Sequence, residues 1–331
     1  MNTDLPLVSI IIPCFNAERW VAEAISSAVG QSYPEIEVVV VDDGSTDRSL
    51  DIIKSTGDRI HVIAGGSNRG ACAARNAGLA ICSGKYVKFL DADDQLALDI
   101  VEKQVHAAES HGGERLVVFS AHQLMRSDGT SIGRPQLVEP FNAGDPILWS
   151  LRNNAQTSCT LHRRDLLDEV GGFDEALPRG QEYDLHLRMA AAGVRFEYVA
   201  GTAVYVRQHL SLDKIGNIDF LAQDPLCEYR WLQDRVQKLR ACCAASFSVA
   251  SMEHIAQDYW SCGRRLLRSG HPEEAKLYFA AARTLAPHGH LKGSNLYSRI
   301  ARTAGPVTAE FAGGQKRRAL AYLGRLLNRI R

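Results

Sequence analysis

The sequence has no long apolar run, although 45% of its 331 residues are hydrophobic. A membrane-spanning helix needs about 20 consecutive apolar residues, and the densest runs, at 8–12 and 38–41, are only strand-sized. Neither sign of charge dominates, because 38 basic side chains balance 38 acidic ones. This balance argues against a generally basic nucleic-acid-binding protein but leaves room for a local basic patch. No basic cluster precedes Val8, so we expect no secretory signal peptide.

Cysteine is also sparse, and the eight cysteines form neither a CxxC pair nor a zinc-type spacing. Scattered cysteines of this kind favour buried apolar thiols in a reducing cytosol over a disulfide framework. They are Cys14, Cys72, Cys82, Cys159, Cys227, Cys242, Cys243 and Cys262.

The N-terminal third of the chain alternates between strand and helix patterns. Buried strands are predicted at 8–12, 37–41, 60–64 and 86–90, with helices between them at about 20–28, 50–53 and 71–82. Asn16 is a candidate cap for the first helix, and Ser45 or Thr46 for the second. Repeated alternation predicts the α/β class, with a mostly parallel, Rossmann-like sheet covered by helices on both faces.

The pattern is less regular after Glu114. It predicts strands at 116–119, 158–162 and 196–206, a turn at Asp128-Gly129, and a helix over 181–192 that ends at Gly193. Beyond about Asp213 the pattern is only helical, and residues 256–289 resemble a single tetratricopeptide repeat with Gly270 in its turn. We therefore expect one domain over residues 1–215 and a helical C-terminal region over residues 216–331.

The C-terminal segment 311–331 carries six basic side chains and no acidic one. Leu320, Leu323, Leu327 and Ile330 share one helical face by their spacing. A basic amphipathic helix can lie on an anionic membrane, or it can pack on a domain with its basic face in water. Both interpretations remain open. The basic residues are Lys316, Arg317, Arg318, Arg325, Arg329 and Arg331.

Polar clusters follow three of the predicted strands, at 13–16, 42–47 and 91–94. Open α/β sheets bind ligands beyond the carboxyl ends of their strands, which is where these clusters would lie. Asp91 and Asp93 are two positions apart and would converge in extended backbone, whereas Asp94 would point elsewhere unless the chain turns. Such paired carboxylates suit a hard divalent cation, Mg²⁺ or Mn²⁺.

Two further groups suit a nucleotide. Asp42 and Asp43 could accept a hydrogen bond from a base, or this segment could simply cap the next helix. Arg75 could hold phosphate in a bidentate fork, or it could be an ordinary surface arginine. The first strand-helix turn has no GxGxxG motif, so a dinucleotide-binding dehydrogenase loses its main support.

Together these motifs resemble the family-2 glycosyltransferases, which have the GT-A fold. The segments Val8-Ser-Ile-Ile-Ile-Pro-Cys-Phe-Asn16, Val41-Asp-Asp-Gly-Ser-Thr-Asp47, Asn68-Arg-Gly with Ala-Arg75-Asn76, and Asp91-Ala-Asp-Asp94 occur in family order and spacing. The likeness is strong over residues 6–110 and continues through Gly171-Gly-Phe-Asp174 and Gln181–Arg188. It offers little guidance after about residue 215.

The resemblance implies roles for particular residues. Pro13, Phe15 and Glu18 would line the nucleotide pocket, Asp43 would contact the base with Asp42 nearby, and Arg75 would lie near the nucleotide or its phosphates. Asp91 would face the ribose or the metal, Asp93 would bind the metal, and Asp94 is the alternative ligand. His209 resembles a family position near the diphosphate, although an ordinary buried or surface histidine is an equal alternative.

The catalytic base implied by the resemblance is Glu182. The family commonly has Glu-Asp and an aromatic residue here, whereas this chain has Gln181-Glu182-Tyr183. Glu182 and Asp184 are about 200° apart on a helix, so only one can face the site. The alignment favours Glu182, and the alternative for Asp184 is a structural hydrogen bond.

The resemblance thus implies an inverting, metal-dependent transferase that moves a sugar from a nucleoside-diphosphate sugar to a saccharide or lipid-linked hydroxyl. Bacterial cell-surface polysaccharide synthesis is the expected setting. We expect a cytoplasmic protein, with peripheral membrane association through the basic tail and no nucleic-acid partner. The alternatives are a non-catalytic nucleotide-sugar-binding scaffold and a sugar nucleotidyltransferase. The latter usually has a glycine-rich, basic phosphate loop that Pro13-Cys-Phe-Asn16 lacks.

Overall fold

A computed structural model of the chain describes residues 5–137, 139–140, 144–153, 155–177, 180–209, 224–242, 248–287, 295–303 and 305–310. The chain divides into two compact units, Met1–Ile218 and Asp219–Arg331. The first unit alternates strands and helices. In the second, the described residues that form regular secondary structure are all helical.

The strands of the first unit are β1 (Val8–Cys14), β2 (Ile36–Asp42), β3 (His61–Ala64), β4 (Tyr86–Phe89), β5 (Gln95–Leu96), β6 (Leu116–Met125), β7 (Ser131–Gln136), β8 (Thr160–Arg163) and β9 (Arg195–Arg207). Its helices are α1 (Val21–Val29), α2 (Ser49–Ser55), α3 (Ala71–Ile81), α4 (Ile100–Ser110), α5 (Pro146–Arg152), α6 (Arg164–Val170) and α7 (Gln181–Ala191). The second unit contains α8 (Cys227–Cys242), α9 (Val249–Ser269), α10 (Pro272–Leu285) and α11 (Asn295–Thr303). The elements predicted for the N-terminal third of the chain are confirmed, with small shifts at their ends.

The strands form one sheet in the order β3-β2-β1-β4-β8-β6-β9-β5, with β7 paired beside β6. β1 is parallel to β2 and β4, and β2 is parallel to β3. The other half is mixed, because β6 is parallel to β9 but antiparallel to β7 and β8. The α/β class is confirmed, with parallel pairing concentrated in the first four strands. Since these strands share one direction, the loops that follow them meet at one edge of the sheet.

β1 explains why the sheet is covered on both faces. Ile10, Ile11 and Ile12 are all fully buried, so neighbouring side chains on opposite faces both need a cover. On one face the cover includes α1, whose buried side chains belong to the same apolar cluster as Ile10 and Ile12. On the other face α3 packs so closely that a Cβ on Gly78 would lie 2.5 Å from Ile11 Cγ2. The apolar core therefore fixes the strand whose end leads into the loop at 15–18.

The predicted helix caps are wrong. Asn16 has φ 48° and lies well before α1 begins at Val21, and its Oδ1 accepts a hydrogen bond from the Thr46 N–H at 2.9 Å. Ser45 Oγ in turn accepts from the Asn16 N–H at 3.0 Å. These polar side chains join the loop after β1 to the loop after β2 instead of capping their own helices. Contacts between two separate loops therefore replace the local caps.

In the second unit, α9 and α10 lie where the sequence predicts a helical hairpin, although α9 begins earlier than residue 256. Gly270 ends α9 in the left-handed region at φ 91°, which glycine adopts without steric cost. Trp260 packs edge-on against Phe279 with ring centroids 4.6 Å apart. No helix among the described residues has both the length and the apolar composition to cross a membrane. The basic tail, residues 316–331, lies outside the described residues.

The described cysteines whose side chains the structure gives are free thiols. Cys14, Cys72, Cys82, Cys159 and Cys262 are buried, and Cys227 is partly exposed. Burial raises the pKa of the Cys14 thiol to about 12, so this side chain is a small apolar packing group and not a nucleophile. The prediction of buried, unpaired cysteines is confirmed for the five buried ones.

Candidate functional site

An acidic loop follows β4 at the sheet edge. The Asp94 N–H donates to the Asp91 carbonyl at 3.0 Å, so the chain turns here instead of remaining extended. As a result, Asp91, Asp93 and Asp94 each present a carboxylate oxygen within 4.8 Å of the others. Asp91 and Asp93 are partly exposed, whereas Asp94 is buried. All three predicted metal ligands are thus brought together, including the one that we expected to diverge.

Arg75 connects this acidic loop to α7. It is buried, and its Nη2 donates to Asp91 Oδ1 at 2.6 Å while its Nη1 donates to Gln181 Oε1 at 2.9 Å. The guanidinium also lies 5.2 Å from the ring centroid of Phe173. Arg75 is therefore not a surface arginine. Its buried Nε has no hydrogen-bond partner, an unusual state for a buried donor and one that a ligand could relieve.

The neighbouring Asn76 explains why two distant motifs occur together. Its Oδ1 accepts from the Phe173 N–H at 2.9 Å and its Nδ2 donates to the Phe173 carbonyl at 2.9 Å. Gly172, at φ 66°, leaves room for this amide, because a Cβ there would lie 2.7 Å from Asn76 Oδ1. Arg75 and Asn76 thus hold the 171–174 segment, which resembles the family motif, against α3.

His209 lies at the acidic loop. Its Nε2 is 2.9 Å from Asp93 Oδ2, and its ring centroid is 5.9 Å from that of Trp20. The side chain is mostly buried, with 13% exposed. A partner carboxylate and an aromatic neighbour fix the ring next to the candidate metal ligands.

Asp42 and Asp43 have different surroundings at the end of β2. The Asp43 carboxylate accepts from the backbone N–H groups of Arg69 and Gly70 at 2.7 to 3.1 Å, so it shapes the loop before α3. Asp42 is 1% exposed, and its Oδ2 accepts from the Ser45 N–H at 3.2 Å. Its Oδ1 is buried without a partner. Of the two carboxylates, Asp42 therefore has the buried acceptor that a base N–H would satisfy.

Pro13 lies near the end of β1, Phe15 and Glu18 follow the strand, and all three are partly exposed. The backbone N–H of Glu18 donates to Asp47 Oδ2 at 3.0 Å. The Glu18 carboxylate accepts from the Arg48 N–H at 3.1 Å. Burial alone would raise the pKa of Asp47, but hydrogen bonds from Ser49 and Glu18 outweigh it and lower the pKa. The loops after β1 and β2 are therefore held together by a carboxylate that stays charged.

Glu182 lies in the first turn of α7 and is half-buried. Asp184 is buried and accepts from Arg188 Nε at 2.8 Å, while the same guanidinium donates to the carbonyls of Val170 and Gly172. This is the structural role that we expected of Asp184 if Glu182 is the base. Gln181, where the family commonly has an acid, accepts from Arg75. Arg75 contacts both Asp91 and Gln181, and Glu182 is the next residue after Gln181.

Sequence reasoning missed Arg207, which is 1% exposed at the end of β9. Its backbone N–H donates to Asp94 Oδ1 at 2.9 Å, and its Nε donates to the Asp93 carbonyl at 3.0 Å. The available signal was its position directly after the predicted strand 196–206 and two residues before His209. No local pattern marks a buried arginine whose contacts lie in a loop so much earlier in the sequence.

The carboxylate oxygens of the acidic loop are suitable ligands for a divalent cation. Three carboxylates within one ion's reach are hard, negatively charged oxygen ligands, which Mg²⁺ and Mn²⁺ prefer over nitrogen or sulfur. Two of the three are partly exposed, so substrate oxygens and water could complete the coordination. A nucleoside diphosphate would supply such oxygens, and Asp42 Oδ1 and Arg75 Nε are buried polar atoms without partners near the same edge.

Comparison with known proteins identifies the family. A profile of the family described as Glycosyl transferase family 2 matches residues 9–171. Residues 9–171 therefore form a glycosyl transferase family 2 domain. The putative teichuronic acid biosynthesis glycosyltransferase TuaG of Bacillus subtilis strain 168 is 40% identical over 134 residues, which cover 39% of this chain and 52% of that protein. The succinoglycan biosynthesis protein ExoO of Rhizobium meliloti strain 1021 is 30% identical over 235 residues, which cover 66% and 65%.

The chain spans 28% to 65% of the length of these two and six further curated relatives. Among solved structures, residues 1–349 of S. aureus TarS in complex with UDP-GlcNAc match with a TM-score of 0.72 at 19% identity. The match covers 94% of this chain and 92% of that one. This likeness shows a GT-A-type mixed α/β fold with a helical C-terminal region.

Proposed function

We propose that this chain transfers a sugar from a nucleoside-diphosphate sugar to a hydroxyl of a saccharide or lipid-linked acceptor, with inversion at the anomeric carbon. The observation that carries the proposal is the connection through Arg75. One guanidinium contacts Asp91 of the acidic loop and Gln181, the residue before the candidate base. A transferase must hold the sugar donor and the catalytic base in a fixed relative position, because the reacting atoms have to lie in line.

In this mechanism Glu182 takes the proton of the acceptor hydroxyl while that oxygen attacks the anomeric carbon. The bond from that carbon to the diphosphate breaks in the same displacement, so the configuration inverts. Asp91 and Asp93 would hold Mg²⁺ or Mn²⁺, with Asp94 as the alternative ligand. A bound divalent cation supplies charge stabilisation for the departing diphosphate. Arg75 and His209 would share that charge and orient the loop carboxylates.

The nucleotide would bind beyond β1 and β2. Pro13, Phe15 and Glu18 would line the pocket, and a carboxylate from Asp42 or Asp43 would accept from the base. The partnerless Oδ1 of Asp42 supports Asp42 as the acceptor. The Asp43 carboxylate supports the pocket differently, because its hydrogen bonds to Arg69 and Gly70 hold the loop that precedes Arg75.

A uridine diphosphate sugar is the first donor to test, because TarS was crystallised with UDP-GlcNAc and with UDP. The names of TuaG and ExoO associate those relatives with teichuronic acid and succinoglycan biosynthesis. We extend this to a role in bacterial surface polysaccharide synthesis on the cytoplasmic side of the membrane. Residues 1–215 would form the catalytic domain and residues 216–331 a helical region, with its basic tail as the candidate membrane contact.

A thermal-shift panel of nucleotide sugars, with and without Mn²⁺, tests the proposal. Stabilisation follows RT ln(1 + [L]/Kd), about 2.7 kcal/mol at a hundred times Kd, so the correct donor should stand out. Asp93→Asn should remove the metal-dependent part of the shift, whereas Asp58→Asn, at an exposed position, should not. If no donor gives a metal-dependent shift, the proposal is wrong. Donor binding without turnover on any acceptor would favour the scaffold, and pyrophosphate release from a nucleoside triphosphate would favour the nucleotidyltransferase.

A further inference from the structure

The side chain of Arg207 contacts three separate parts of the first unit. Its Nη2 donates to Glu23 Oε2 at 2.5 Å and its Nη1 to the Ser127 carbonyl at 3.0 Å. Its Nε donates to the Asp93 carbonyl at 3.0 Å, and the guanidinium lies 4.3 Å from the Trp20 ring centroid. These contacts join α1 and the β6–β7 turn to the acidic loop.

The backbone around Arg207 adds two contacts to the same loop. The Arg207 N–H donates to Asp94 Oδ1 at 2.9 Å, and the nearby His209 contacts Asp93 Oδ2 at 2.9 Å. Trp20 lies beside both the guanidinium and the imidazole. Residues 207–209 therefore restrain Asp93 through its carbonyl and its carboxylate, and Asp94 through its carboxylate.

We propose that Arg207 is a positioning residue that sets the geometry of the Asp93 and Asp94 carboxylates for a divalent cation. This inference rests on the proposed function. A restraint of this kind matters because metal affinity depends on ligand carboxylates that are already oriented before the ion arrives. Without the contact to the Asp93 carbonyl, the turn at 91–94 would be free to relax and its oxygens to separate.

Only an arginine can make this set of contacts. The guanidinium is planar, and its Nε, Nη1 and Nη2 donate in three fixed directions, here to Asp93, Ser127 and Glu23. A lysine ammonium keeps the charge but lacks the fork, so it could pair with Glu23 without reaching the two carbonyls. Glu23 is a second point at which to test the restraint, because it is half-exposed and also accepts from Gln95 Nε2 at the end of the loop.

The test measures Mn²⁺ binding directly, from the loss of the electron paramagnetic resonance signal of free Mn²⁺, alone and with excess UDP. We expect Arg207→Met to bind Mn²⁺ about 10 to 100 times more weakly. Arg207→Lys and Glu23→Gln should give smaller losses. Circular dichroism below each midpoint confirms that the variants are folded, and if Arg207→Met does not fold, the two milder variants decide the question.

Arg235→Lys is the matched control. Arg235 is also a buried arginine over a tryptophan ring, 3.8 Å from the Trp231 centroid, with a carboxylate partner in Asp258. The Arg235→Lys variant should be less stable than the wild type but should bind Mn²⁺ with wild-type affinity. Folded Arg207 and Glu23 variants that bind Mn²⁺ like the wild type would overturn the positioning role and leave the proposed function intact. If the wild-type protein binds no Mn²⁺, either alone or with excess UDP, both the positioning role and the proposed function are wrong.

Discussion

Gln181 is a departure from the family pattern whose consequence is visible at a single residue. Its amide oxygen accepts from Arg75 as a carboxylate would, but it adds no negative charge. Asp91 is thus the carboxylate in contact with this guanidinium, at 2.6 Å. Gln181 keeps the hydrogen bond to Arg75, and in the proposed mechanism it would leave more of the positive charge of Arg75 for the departing diphosphate.

Gln181→Met should test that hydrogen bond. The substitution keeps the side-chain length and removes the acceptor, which leaves the buried Nη1 of Arg75 unpaired. An unsatisfied buried donor costs about 1–3 kcal/mol, so the free energy of unfolding should fall by that amount. Urea denaturation measures it, with Gln181→Glu as the control that keeps an acceptor and should stay close to the wild type. If Gln181→Met is as stable as the wild type, the hydrogen bond between Arg75 and Gln181 does not stabilise the fold.

The loops after β1 and β2, together with the loop at 65–70, form the nucleotide side of the proposed site. Gly44 allows this packing, because it has φ 78° and a Cβ there would lie 2.7 Å from the Ser67 backbone. An L side chain is strained in this region and would also push the third loop away. The turn after β2 therefore determines where the loop that carries the partners of Asp43 can lie.

Gly44→Ala should lower the free energy of unfolding by more than the roughly 1–2 kcal/mol of left-handed strain, and should weaken nucleotide binding. Gly57→Ala is the matched control, since Gly57 has φ 75° and open space around its Cβ position. Urea midpoints and UDP-dependent thermal shifts of the two variants distinguish backbone strain, which both share, from the steric clash with Ser67, which only Gly44→Ala introduces. Equal losses of stability and equal UDP shifts in both variants would contradict the packing argument.

The elements of the first unit were predictable because their signals are local. Apolar periodicity marked α1, and β-branched runs marked β1 and β2. The caps were mispredicted because Asn16 and Ser45 bond between two separate loops, and sequence spacing carries no information about that contact. The same limit hid Arg207. The acidic residues of the candidate site were predicted from motif spacing, but the turn that brings Asp94 to Asp91 and Asp93 is a property of the folded loop.

At the scale of the whole molecule, Lys88 couples stability to pH. It is fully buried in β4, with its Nζ donating to Gln104 Oε1 at 2.9 Å and to the Thr160 carbonyl at 3.3 Å. Burial lowers the pKa of Lys88 from 10.5 to about 7. The unfolded chain therefore takes up this proton first as the pH falls, which favours unfolding between about pH 10 and pH 7.

Lys88→Met should remove that dependence. The wild type should lose stability relative to the variant as the pH is lowered from about 10 to about 7, and the difference should stay constant below, because Lys88 is then protonated in both the folded and the unfolded state. Urea unfolding of both proteins at several pH values measures this difference. His186, whose pKa burial lowers to about 4, should still reduce stability between about pH 6.5 and 4 in both proteins. An identical slope above pH 7 in both proteins would show that Lys88 is not the group responsible.

Glycosyl transfer with Glu182 as the base is the central property proposed for this molecule. Its most direct test is the release of nucleoside diphosphate from the best donor of the thermal-shift panel, with free and lipid-linked saccharides offered as acceptors. Glu182→Gln should reduce the rate about 10² to 10⁴ times and leave the donor-induced shift unchanged. Asp184→Asn, on the same helix, should lower stability and keep most of the rate. Wild-type turnover by Glu182→Gln would contradict the assignment of the base.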